Sequence, residues 1–305
     1  MDLAAWILEP FSLSFMQRAL VSGVAVGISA PVIGVWAVTK RLVYLTDGMS
    51  HAILAGVVAA AALGLAFTIG GIVVALVMAA LVVFLVLRLG LAEDSATGVV
   101  SQGLFAAGVV GATLLADPRA LGHILFGNPL TVTWPEVATQ GLLAIIVVAG
   151  CAWLAPAFAM AAFDPAHART IGVRVGALDA LLVISLALIV VIGLSTVGVL
   201  MCITLITAPA VAARLLTGSF ATAMLTASIL GVLASIAGLL VAYHISWPVG
   251  PTIALIAIAE VALASLIVLI RRGPAWRAPR QPSLKNVDAR VWHTRGKAPV
   301  TPVSE

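Results

Sequence analysis

Asp47 and His51 are the two residues of this chain whose types and spacing best suit chemistry. They lie in the stretch TKRLVYLTDGMSHAILAG, residues 39–56. On a helix, residues four apart share one face, one turn above each other. The pair would present a carboxylate oxygen and an imidazole nitrogen side by side. That donor set suits a divalent transition metal of intermediate softness, such as Zn, Mn or Fe(II). Lys40 and Arg41 end the apolar run before the pair, and another apolar run starts with it. Ionisable groups at such a place usually face a cavity or pathway rather than lipid. The plainer alternative is a helix start, with Asp47 as its cap and His51 at the water boundary. One acid and one imidazole are too few for zinc, which normally takes four ligands. Two copies meeting at an axis would supply two of each. Glu260, inside the last apolar run, and His244 and His123, in polar breaks between runs, are the further candidate ligands.

The elements that position these groups follow from composition. The chain has 305 residues, 62% of them hydrophobic and 9% charged, with a mean hydropathy of +1.20. Soluble domains carry about 25% charged residues. An all-α polytopic membrane protein is predicted. A membrane β-barrel would alternate apolar and polar residues in runs of about ten, and these runs are long and uninterrupted. Asp2 and Glu9, without a basic stretch, do not resemble the start of a cleaved signal peptide. Cys151 and Cys202 lie inside apolar runs and are expected as small core residues. Eight of the sixteen Lys and Arg residues follow position 270, against Asp288 and Glu305. The basic balance therefore belongs to a tail, and no nucleic-acid partner is implied.

A spanning helix needs roughly twenty mostly apolar residues. The charge-free intervals supply the candidates. Arg18 to Lys40 holds one span. His51 to Arg88 holds two, with a turn near Thr68-Ile69-Gly70-Gly71. Asp94 to Asp117 and Glu136 to Asp164 hold one each. Asp179 to Arg214 is long enough for two, split between Gly193 and Gly198. Arg214 to Glu260 breaks at Tyr243–Pro248, and a last span runs from Thr252 to Ile270. This makes nine crossings, or eight if Gly27, Pro31 and Gly34 break the first run. Lys40, Arg41, Arg88, Arg169, Arg174, Arg214, Arg271 and Arg272 then share one side, which the positive-inside rule makes cytoplasmic. The expected organisation is an N-terminal segment, residues 1–14, a transmembrane domain, 15–270, and a disordered basic tail, 271–305, close to anionic lipid. Asp179 is expected to cap its helix or to pair with nearby Arg174.

One segment on the basic side carries its own signals: residues 163–173, FDPAHARTIGV. Asp164 before Pro165 reads as an N-cap followed by proline at the first helical position. Gly172 reads as a C-terminal cap. A helix of about two turns should lie there, either an ordinary loop helix or a docking element for a soluble partner. No phosphate-binding Gly-x-x-x-x-Gly-Lys-Ser/Thr loop occurs, since Gly296-Lys297 is followed by Ala298. Any ATP-derived energy would have to come from a partner. No His-Glu-x-x-His occurs either, which argues against an intramembrane metalloprotease.

Taken together, FMQRAL, TKRLVYLTDGMSHAILAGV, EDSATGVV, FDPAHARTIGV, ITAPAVAARLL and WPVGP resemble the permease subunits of ABC transporters that import zinc, manganese or iron. The resemblance runs from about Phe15 to Ile270. It implies a type II importer fold and a permease that dimerises with a second copy or a related chain. It further implies two copies of an ATP-hydrolysing subunit, docked through coupling helices, and an external solute-binding protein that delivers the metal. The coupling helix would be 163–173, with Asp164, Pro165, Ala168 and Gly172 as its marks. The metal-pathway acid and histidine would be Asp47 and His51. No permanently bound cofactor is expected, and the chain itself would not be an enzyme. Its place would be the cytoplasmic (inner) membrane, with the C-terminus inside. Many relatives carry an acid where Ser246 stands here, with His244 two residues earlier, so the outer mouth departs from the pattern. The rival expectation is an ATP-independent, proton-coupled metal carrier that uses Asp47, His51 and Glu260 as a relay.

Overall fold

The computed structural model describes Trp6 and residues 9–65, 67–115 and 132–272. Among the described residues there are ten α-helices and no strand. After a 3₁₀ turn at Pro10–Ser12 come α1 (Ser14–Thr39), α2 (Val43–Leu63), α3 (Phe67–Leu89), α4 (Glu93–Leu115), α5 (Trp134–Phe163), α6 (Pro165–Thr170), α7 (Val175–Val197), α8 (Val199–Leu216), α9 (Phe220–Ile245) and α10 (Val249–Arg272). A chain this apolar forms helices because hydrocarbon offers backbone N–H and C=O groups no partner outside the segment. Seven helices, α1–α5, α9 and α10, are long and apolar enough to cross a membrane. The described apolar stretches of α7 and α8 are shorter, Val175–Val191 and Met201–Leu216. The nine long helices sit on the nine intervals read from the sequence.

Of the two readings of the first run the structure takes the unbroken one, and two boundaries differ from expectation. The first run does not break: α1 is continuous through Pro31. The carbonyl that Pro31 leaves unpaired, on Gly27, is approached by Gly231 of α9 instead. The turn between α2 and α3 lies at Gly64, with φ 67°, and not at Gly70-Gly71. Gly70 is a packing residue: a Cβ there would lie 2.1 Å from the Gly56 carbonyl oxygen. Finally, α10 continues through Arg271 and Arg272, where a tail was expected to begin. The split of the long interval falls at Gly198, with φ 85°. The chain reverses there, because Cys202 Sγ reaches the Ile189 carbonyl oxygen at 3.6 Å.

The inner axis is α1. It is mostly buried, whereas α5 is mostly open, and it packs on α5, α7, α8 and α9. Close approach is built from small residues. A Cβ at Gly34 would fall 1.8 Å from the Ile206 oxygen, and one at Gly27 would fall 2.7 Å from the Gly231 oxygen. The second centre is α2, which packs along α3 and α4. At the basic end, fully buried Trp36 lies between Phe158 and Phe220, with ring centroids 5.3 and 4.6 Å away. Arg214 sits over the Phe220 ring at 4.7 Å. Cys151 and Cys202 are buried and free, as core residues should be.

By its contacts the chain divides into Met1–Ser265 and Leu266–Glu305. The described part of the second is the end of α10. The expected disordered tail otherwise lies outside the described residues, as does half of the N-terminal segment.

Candidate metal centre

The turn from α1 into α2 sets the position of the pair. Lys40 ends α1, Arg41 takes the left-handed conformation at φ 62°, and the Leu42 N–H donates to the Ala37 oxygen at 2.8 Å. The Arg41 N–H donates to the Val38 oxygen at 3.2 Å. This is the glycine-type helix stop, made here by an arginine. The residue before α2 is Leu42, with no side-chain cap, so Asp47 does not cap the helix. It stands a full turn inside.

Asp47 Oδ1 and His51 Nε2 are 3.8 Å apart. That is too long for a hydrogen bond. A single ion with bonds of about 2.0–2.2 Å to each would reach across it. Both side chains keep partial exposure, 45% for Asp47 and 37% for His51. From Thr46 to Ala60, Asp47, His51, Ala55 and Ala59 are open and every residue between them is buried. The spacing is four throughout, so α2 is covered all round except along one narrow ridge. His51 meets the Phe105 ring of α4 edge-on at 5.6 Å. One turn before Asp47, Tyr44 places its hydroxyl where a Cβ on Gly98 would be 2.9 Å away. Tyr44 and Phe105 were not read as site residues. The i−3 spacing of Tyr44 from Asp47 was the available signal, whereas nothing local points to Phe105.

The other candidate ligands do not join the pair. Among the described residues, no group of three or more His, Cys, Asp or Glu could hold a metal. His244 lies in the last turn of α9. Its Nε2 is 3.1 Å from the Trp6 carbonyl oxygen, and its ring stacks on the Trp6 indole at 4.0 Å. It ties the N-terminal segment to the far end of α9. Glu260 is half-buried in α10, and its Oε2 has no hydrogen-bond partner among the described residues. His123 lies outside the described residues. Asp179 pairs with Lys40, and not with Arg174.

The segment after α5 forms as its signals require. Asp164 Oδ1 accepts from the His167 N–H at 2.9 Å. Gly172, at φ 87°, donates to the Arg169 oxygen at 3.1 Å, and the Val173 N–H donates to the Ala168 oxygen at 2.9 Å. That doubly bonded end is the Schellman motif. Ala168 is buried, and the rest of α6 is exposed. A cleft of about 520 Å³ opens beside it, lined by Arg41, Glu93, Asp94, Pro165 and Asp179 among others.

Comparison with known proteins adds a lineage. Residues 12–269 match the family described as the ABC 3 transport family. The chain is 34% identical over 250 residues to a chelated iron transport system membrane protein of Yersinia pestis, covering 82% of this chain and 84% of that one. It is 33% identical over 242 residues to a manganese import system permease protein of Streptococcus parasanguinis, covering 79% and 86%. The solved structure of PsaBC from Streptococcus pneumoniae in complex with Fab superposes with a TM-score of 0.80 at 27% identity, covering 93% of this chain and 99% of that one.

Proposed function

The chain belongs to the ABC 3 transport family, and on that premise we propose that it is the membrane permease of an ATP-driven importer of a divalent transition metal. Relatives are named for manganese and for chelated iron. Manganese and iron are therefore the leading cargoes, with zinc the third. One observation carries the reading: the sole open ridge of α2 between Thr46 and Ala60 holds both Asp47 and His51. An acid and an imidazole on an otherwise sealed spanning helix are expensive against lipid. A second copy facing this ridge would convert two ligands into four around a shared axis. Incomplete coordination by each copy suits transport, because the ion must also leave.

The exposed, doubly capped α6 fits the role of the coupling helix on which an ATPase subunit docks, one on each of two permeases. Closure of the ATPases would move α6 and switch which side of the passage is open. A solute-binding protein would deliver the ion from outside. The basic end of the bundle is then cytoplasmic, in the inner membrane, and the chain works as a transport subunit with no resident cofactor. A proton-coupled carrier is disfavoured by the family, and among the described residues Glu260 does not join the pair in a group that could hold a metal.

The test is metal uptake by the permease reconstituted with its ATPase and binding protein. Asp47→Ala and His51→Ala should each abolish ATP-dependent Mn²⁺ uptake while the complex still assembles. Wild-type uptake by both variants would overturn the reading, as would uptake that follows a pH gradient without ATP.

A further inference from the structure

We propose that Gln102 of α4 is a third polar group of the same passage and that it tilts the passage toward manganese over zinc. The inference rests on the reading of Asp47 and His51 as pathway residues. Its ground is the way α2 and α4 lie against each other. Gly98 of α4 is reached by the Tyr44 hydroxyl of α2, and Phe105 of α4 is met by the His51 ring. On α4, Gly98, Gln102 and Phe105 form one row at spacings of four and three. On α2, Tyr44, Asp47 and His51 form one row at spacings of three and four. The ends of the two rows touch, so their middle members, Gln102 and Asp47, stand at the same depth on adjoining helices. The contacts of Gly48 agree: a Cβ there would lie 3.1 Å from Ser101 and 3.2 Å from Thr97.

Gln102 is also out of place for any other purpose. It lies nine residues into α4, about 14 Å along the helix at 1.5 Å per residue. Between Val99 and Ala112 it is the one exposed polar side chain. It has no hydrogen-bond partner among the described residues. Its neighbours show the contrast: Ser101 is buried and bonds the Gly98 oxygen at 3.1 Å. A free amide at mid-span is costly against lipid. Beside Asp47 it gains a wet, polar surrounding. Its carbonyl is a hard, neutral oxygen donor. Carboxylate and carbonyl oxygens suit manganese, whereas imidazole suits zinc. With Gln102, each copy offers two oxygens and one nitrogen.

The experiment uses the whole transporter in proteoliposomes, supplied with free Mn²⁺ and Zn²⁺ separately and in competition. Gln102→Leu should lose roughly ten-fold of Mn²⁺ uptake with Zn²⁺ uptake retained, and Gln102→Glu should restore Mn²⁺ uptake. An unchanged Mn²⁺-to-Zn²⁺ preference in Gln102→Leu overturns the inference. A second measurement does not depend on the leucine variant assembling. Gln102→Cys, in a Cys151→Ala, Cys202→Ala background, should be labelled by a water-soluble thiol reagent, and Mn²⁺ should protect it. Absent labelling, or labelling indifferent to Mn²⁺, overturns the inference. Asp47→Ala runs alongside. Normal transport by that variant counts against the passage itself, whereas a dead Asp47→Ala with an unaltered Gln102→Leu counts against Gln102 alone.

Discussion

The Lys40 ammonium pairs with the Asp179 carboxylate across 139 positions of sequence, tying the end of α1 to the first turns of α7. Lys40 is 13% exposed and Asp179 45%. Removing Asp179 therefore strands a nearly buried cation, whereas removing Lys40 leaves an acid that water can still reach. Asp179→Ala should destabilise more than Lys40→Ala. The coupling energy of the pair should be about 1–2 kcal/mol, less than for a fully buried pair because the acid stays hydrated. A double-mutant cycle on thermal unfolding in detergent measures it. Strict additivity of the two single variants would remove the ion pair from the energetics.

Gly27 and Gly231 stand opposite each other where α1 meets α9. A Cβ at Gly27 would fall 2.7 Å from the Gly231 oxygen, and one at Gly231 would fall 2.2 Å from the Gly27 oxygen. Alanine is the better helix former by about 1 kcal/mol, but here it would force the helices apart at a cost of about 1–3 kcal/mol. Gly150 of α5 has nothing within 4 Å of a Cβ, so Gly150→Ala should stabilise or be neutral. A lowered melting temperature for Gly27→Ala and an unchanged or raised one for Gly150→Ala are the expected result. Equal effects would mean that the close approach carries no energy.

Trp36 is fully buried between two phenylalanine rings. Trp36→Ala should cost about 3–5 kcal/mol. The indole Nε1 has no hydrogen-bond partner among the described residues, so Trp36→Phe gives up volume without giving up a bond and should cost clearly less. Unfolding by heat separates the two. A phenylalanine variant as damaged as the alanine one would show that the indole nitrogen has a hidden role.

Helix α6 is held by a cap at each end. Asp164→Ala removes the acceptor of the His167 N–H, worth about 1 kcal/mol. Gly172→Ala puts a side chain on a left-handed residue, at a cost of about 1–2 kcal/mol. Neither change touches Asp47 or His51. If α6 docks the ATPase, both variants should bind metal normally yet lose coupling, hydrolysing ATP without matching Mn²⁺ uptake. Uptake per ATP equal to wild type in both would free α6 from that role.

Local chemistry was legible without coordinates. Hydropathy marks the long helices because each must satisfy its own backbone in hydrocarbon. Asp164 and Gly172 announce α6 because caps act within four residues, and Asp47 and His51 share a face because helical spacing alone puts them there. Glycine was the ambiguous letter. Gly198 does turn the chain, but Gly70 and Gly71 sit inside α3, since the same missing side chain serves a turn or a close helix contact.

What only the tertiary structure decided is which groups meet. Asp179 chose distant Lys40 over Arg174, His244 chose Trp6, and the flank of α2 left open proved to be the one bearing Asp47 and His51. Such outcomes depend on which neighbours cover each face of a helix. On spanning helices that are apolar all round, no hydrophobic stripe tells the sequence which face will be covered.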